Sequence, residues 1–216
     1  LDMRSTNFDF LEDFDSIVHL AGISNDPIGN FHEGITKDIN TEASKKLIIG
    51  TAQFGQNYGI TNLNGKVAEK EIISIFKKAR ANDINTLDTA SSYGDSEKIL
   101  GTIGVTDFDV MTKLPSFEGI SSNFEEFCEK ALVMSLTQLK LSCVDAVLLH
   151  RPEELLGSHG DAIFGALNGL KDKGLVRRIG ISIYSPEILN DIAKKYRFDV
   201  VQVPLNVFDR RIISSG

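Results

Sequence analysis

The stretch INTLDTASSYGDSEKILGTIGVTDFDVMTK, residues 84–113, decides the fold. It opens with a short apolar run at 84–89 and crosses a loop of small polar residues. It continues as SEKILGTI (96–103), with apolar residues at helical spacing, and closes on a second apolar run at 109–113. Two strands separated by a helix read as parallel neighbours, because a parallel pair needs a crossover between its members. Asp88, Tyr93 and Lys113 sit at or just past the ends of these two runs. That rim of the sheet is where strand-and-helix enzymes place their chemistry.

The same period extends in both directions. Further strands are expected at 47–51, 144–150, 177–182 and 199–203, and further helices at 69–81, 123–141, 160–174 and 185–196. The helix at 123–141 places Phe124, Phe127, Cys128, Ala131, Leu132, Ser135 and Leu139 on one stripe, which suits packing against a sheet. Ser185 before Pro186 and Glu187 reads as an N-cap, and Gly174 reads as a helix stop. Six strands alternating with five helices predict an α/β protein with a parallel sheet: an incomplete (β/α)8 TIM-type barrel with six of the usual eight strands. His150, at the end of VDAVLLH, joins the other three polar residues on the rim.

Residues 1–46 differ in character from the barrel domain at 47–216. SIVHLAG (16–22) reads as a strand and KDINTEASKKL (37–47) as a short helix, together an N-terminal βα unit. Its strand is expected beside 47–51 in a right-handed βαβ arrangement that partly covers one edge of the open barrel. Strand edges left uncovered point to self-association.

Composition narrows the function classes. With 42% hydrophobic and 25% charged residues, the chain is globular with a sizeable core. A net charge of -7 argues against general binding to nucleic acid or to an anionic membrane surface. No basic-then-apolar leader or bilayer-length apolar run is present, so a cytoplasmic location is expected. Cys128 and Cys143 lack the close pairing of a metal site and read as thiols in a reducing compartment.

The four rim residues form the inventory of a carbonyl-reducing site. No side chain donates hydride, so a nicotinamide or flavin cofactor has to supply it. Tyr93 is the candidate acid. A phenol titrates near ~10, too high for efficient acid catalysis at neutrality unless a cation favours the phenolate, and Lys113 is the candidate cation. Asp88 offsets the cost of placing that ammonium in a dry site, and a neutral His150 orients the carbonyl. Taken singly, Asp88 also reads as a turn cap, Tyr93 as a loop aromatic and Lys113 as a solvated strand end. Phe54, Tyr58 and Phe117 follow strand ends and are candidates for lining an apolar pocket or for packing locally.

Quoted in order, GTAQFGQNYGI, LDTASSYGDSEKILG, VMTKLP, LLHRPEEL, GISIYSPE and VVQVPLNVFDRR resemble successive motifs of the aldo/keto reductases, over about residues 47–216. The resemblance implies a (β/α)8 barrel, NADPH or NADH as hydride donor, a small carbonyl substrate, and the catalytic quartet Asp88, Tyr93, Lys113 and His150. It further implies that Ser182 and Gln202 hold the nicotinamide carboxamide, and Gly50 and Thr51 are expected to border the cofactor. Ile183 stands where many members have Asn, and the family's last two strands and pyrophosphate loops are expected beyond Gly216. A non-catalytic barrel acting as a binding or regulatory module is the alternative. The first 46 residues are similar to one βα unit of an extended short-chain dehydrogenase/reductase of the nucleotide-sugar epimerase type. They contain neither its glycine-rich opening nor its Tyr-x-x-x-Lys pair.

Overall fold

The computed structural model describes residues 16–19, 48–59 and 62–204. Its strands are β1 (Ser16–His19), β2 (Ile49–Gly50), β3 (Thr86–Asp88), β4 (Asp109–Leu114), β5 (Val144–Leu149), β6 (Val176–Ser182) and β7 (Val200–Val203). Its α-helices are α1 (Ala52–Gly55), α2 (Glu69–Ala81), α3 (Ser96–Ile103), α4 (Phe124–Leu139), α5 (Gly160–Asp172) and α6 (Pro186–Ala193), with a 3-10 helix at Pro152–Leu156. All strand pairs are parallel, and the spatial order is β1-β7-β6-β5-β4-β3-β2. From β2 to β7 the strands therefore follow chain order with helices between them, as in a (β/α)8 barrel that holds six of its strands.

The pleat explains what each face does. Val110, Val147, Ile179, Ile181 and Val201 face the helices and join Ile72, Phe76, Leu132, Leu139, Leu167 and Ile192 in the main core. Full burial of each such side chain contributes ~1.5–3 kcal/mol. The alternate residues Met111, Ala146, Leu148 and Val200 form a smaller cluster with Ile48. Gly180 belongs to that narrow inner layer: a Cβ there would stand 2.4 Å from both Leu148 Cδ2 and the Val200 carbonyl. Because side chains two apart share a face, Lys113, His150, Ser182 and Gln202 follow Met111, Leu148, Gly180 and Val200 one step nearer the strand ends. The barrel interior is thus capped by a polar layer.

Several sequence expectations are corrected. β1 does not pair beside β2. It pairs with β7, from Ser16 opposite Val200 to His19 opposite Val203, at the far end of the sheet. The chain between His19 and Ile49 is long enough to permit this, since an extended chain reaches up to ~3.3–3.6 Å per residue. The helix expected at 37–47 and most of residues 1–46 lie outside the described residues. Ser185 is the N-cap of α6, but its hydroxyl bonds to the Glu187 carboxylate and makes no capping bond to the backbone. Gly174 does end α5, with φ +70°. Among the described residues no helix is long and apolar enough to cross a membrane.

Candidate active site

Three strand ends supply the centre. Lys113 Nζ, from β4, donates to Asp88 Oδ1 of β3 at 2.6 Å and to the Thr89 carbonyl at 3.0 Å. Gln202 Nε2, from β7, donates to the same Asp88 oxygen at 3.0 Å. The orientation of that amide follows from chemistry, because only its nitrogen can face a carboxylate oxygen favourably. Asp88, Lys113 and Gln202 are 4%, 2% and 1% exposed, so the ion pair and its amide sit out of water. Burial holds the Lys113 ammonium below the usual lysine range, and the Asp88 charge and hydrogen bond oppose that shift without overcoming it.

Tyr93 lies in the turn after β3, half-buried, with Lys113 Nζ 5.0 Å from its ring centroid. The expectation that Lys113 lowers the phenol is not what this arrangement produces. The ammonium faces the ring and points its hydrogen bonds at Asp88 and Thr89, while burial first, then the charges of Asp88, Tyr184 and Tyr58, push the Tyr93 phenol up. The ligand-free phenol is therefore firmly protonated. His150 stands edge-on to Tyr93 with ring centroids 6.4 Å apart, and Ser92 Oγ is 3.5 Å from its Nδ1. Burial, then Lys113, lowers the imidazole below its ordinary range, so it is neutral at pH 7. Asp88, Tyr93, Lys113 and His150 thus come together at one rim.

Gln202 and Ser182 are direct partners across β6 and β7, on one face and nearly fully buried. Among the described residues, neither Ser182 Oγ nor Gln202 Oε1 has a hydrogen-bond partner. A hydroxyl and an acceptor oxygen left open side by side match the carbonyl and NH2 of a primary amide. Gly50 has open space around its Cβ position and is exposed, leaving room for a ligand beside the backbone. Thr51 is fully buried; its hydroxyl donates to the Asp88 carbonyl at 2.9 Å and is turned away from solvent. Ile183 packs in the helix-side core, and its N–H ties β6 to the Gln202 carbonyl at 2.8 Å.

A supporting layer escaped the sequence reading. Ser96, at the first position of α3, bonds to Thr51 Oγ1 at 2.9 Å and lies 3.2 Å from Thr89 Oγ1, so three buried hydroxyls link the ends of β2 and β3 to α3. Gly55 backs the same turn: a Cβ there would lie 1.7 Å from the Tyr93 carbonyl. Glu97, 2% exposed, accepts from Thr112 Oγ1 at 2.6 Å, behind the strand that carries Lys113. Ser91 Oγ bonds to the Lys113 carbonyl at 3.1 Å. The only local signal for these residues is a Ser-Glu pair opening a helix, which is also ordinary helix-start chemistry.

Among the candidate pocket aromatics, Phe54 is core, 6.0 Å from Phe76 between ring centroids. Phe117 packs against Phe124 and Phe127 and borders a cavity of about 440 Å³ whose walls include none of the four rim residues. Tyr58 is exposed.

The chain belongs to the aldo/keto reductase family, whose model matches residues 46–216. An aldo-keto reductase from Mycolicibacterium vanbaalenii is 31% identical over 140 residues, covering 62% of this chain and 47% of that protein. The uncharacterized oxidoreductase YqkF of Bacillus subtilis is 26% identical over 179 residues, 77% of this chain and 58% of its own length. A provisionally assigned aldo-keto reductase from Pseudomonas aeruginosa superposes with a TM-score of 0.63 at 25% identity, over 76% of this chain and 65% of that one. The chain spans about half the length of the curated relatives it matches. These likenesses show the family and its barrel fold. The likeness of residues 1–46 to a short-chain dehydrogenase falls, apart from Ser16–His19, on residues outside those described.

Proposed function

We propose that this chain serves an NADPH- or NADH-dependent reduction of a small aldehyde or ketone to an alcohol, with Tyr93 as the acid. The observation that carries the reading is the buried Asp88–Lys113 pair set under the Tyr93 ring and beside a neutral His150. When bound, a reduced nicotinamide supplies the hydride. Ser182 and Gln202 would hold its carboxamide through the two open polar atoms they share across β6 and β7.

The chain's own residues handle the proton. His150, donating from Nε2 while Nδ1 faces Ser92, orients the carbonyl oxygen. As negative charge develops on that oxygen, the Tyr93 hydroxyl transfers its proton to it. Lys113, held by Asp88, then stabilises the phenolate left behind. A raised phenol does not forbid this step, since the nascent alkoxide is a far stronger base than the resting carbonyl. Acid catalysis of this kind is worth about 10²–10⁴-fold, so Tyr93→Phe should lower NADPH oxidation with a panel of small aldehydes by that factor. Folded protein that binds NADPH by calorimetry yet turns over no carbonyl would point instead to a binding or regulatory barrel.

A further inference from the structure

We infer that Gln202 couples occupancy of the carboxamide subsite to the Asp88–Lys113 pair, acting as a positioning residue that gives up its bond to Asp88 when a nicotinamide arrives. The inference rests on the cofactor reading above and adds a regulatory step to it. Its basis is a shared oxygen. Asp88 Oδ1 accepts from Lys113 Nζ at 2.6 Å and from Gln202 Nε2 at 3.0 Å, and all three groups are buried. A carboxylate oxygen that accepts from an amide has less charge to offer an ammonium. The positive end of the amide dipole also sits close to that ammonium. Both effects disfavour the charged form of Lys113, in a site where solvent screens little.

The same amide is the group that faces a ligand. Its Oε1 has no partner among the described residues and lies across from Ser182 Oγ, which is likewise open. A carboxamide NH2 that draws this oxygen toward the ligand turns the amide and lengthens its bond to Asp88. Asp88 Oδ1 then serves Lys113 alone, and the charged form of Lys113 is favoured more strongly. A charged Lys113 is what a Tyr93 phenolate needs beside it. Cofactor binding thus strengthens the cation beside Tyr93 before any carbonyl enters.

The test follows the Lys113 Nζ resonance against pH in protein labelled with ¹⁵N-lysine, assigned by its loss in Lys113→Arg. Gln202→Met keeps the side chain's length and removes the amide. Gln202→Leu is a second variant in case the first does not fold. The expected result is a Lys113 titration midpoint that is higher in the variant than in wild type without ligand. NADPH should raise the wild-type midpoint and leave that of the variant unchanged. A ligand-free midpoint that is equal or lower in both variants overturns the inference. So does NADPH that binds wild-type protein by calorimetry without moving Lys113, or that moves it equally in the variant. Failure of NADPH to bind wild-type protein overturns the cofactor reading and the coupling together, whereas binding without the Lys113 shift overturns the coupling alone.

Discussion

The Asp88–Lys113 pair shows what a single buried contact can demand of a chain. Their side chains are 6% and 2% exposed, and their charges meet at 2.6 Å. Removing one member of such a pair leaves an unpaired buried charge and costs ~3–5 kcal/mol, while replacing both by apolar residues of similar size is close to neutral. Asp88→Asn should therefore lower the urea midpoint strongly, and Asp88→Leu with Lys113→Met should recover most of the loss while remaining inactive. A single variant as stable as wild type would show that the pair is not dry. In the sequence these two stand out only together with the other rim residues, since Asp88 alone also reads as a turn cap and Lys113 alone as a solvated strand end. The sequence did not expose the state of Tyr93. The distance from Lys113 to the phenol, and the nearby Tyr58 and Tyr184, depend on loops that local periodicity does not encode.

At the scale of elements, α3 both carries the turn of Tyr93 and braces the strand of Lys113. Its ends and those of α2 agree with the periodicity of the sequence, because both helices have apolar stripes that meet the core. The short α1 and the 3-10 helix at Pro152–Leu156 were not legible, since one turn is too little to show a period. Burial raises the Glu97 carboxyl above the usual range, against the hydrogen bonds from Thr112 and Ser135 that favour its charge. A folded-state value above the unfolded one means that the folded protein binds the extra proton, so stability falls as pH rises from the unfolded value through the folded one and remains lower beyond it. Glu97→Gln preserves the acceptor for Thr112 and cannot ionise. Its melting temperature should match wild type near pH 4 and exceed it at pH 8. A difference between the two proteins that stays constant with pH would sink this account.

For the whole molecule the governing fact is that the described strands form an open barrel. β2 lies at one end of the sheet and β1 at the other, with β1 against β7 in the place where a seventh barrel strand would pair. The sequence contained the strand at Ser16–His19 but not its neighbour, because alternation fixes what a segment is and tertiary geometry fixes what it meets. Which edge it covers matters: β7 carries Gln202, so β1 backs the strand that reaches Asp88. Four residue pairs join β1 to β7, from Ser16–Val200 to His19–Val203. At a net ~0.5–1.5 kcal/mol per hydrogen bond, that ladder supplies a few kcal/mol, a substantial part of the ~5–15 kcal/mol by which a domain is stable. Removing residues 1–22 should then do two things at once: lower the melting temperature and uncover a parallel edge of apolar residues that another copy can extend. Sedimentation of the shortened chain should show concentration-dependent association absent from the longer one, with the Lys113 resonance broadened as β7 loosens. If the shortened chain stays monomeric and melts where the longer one does, β1 is a passenger on the sheet and the β7 edge is held by the barrel alone.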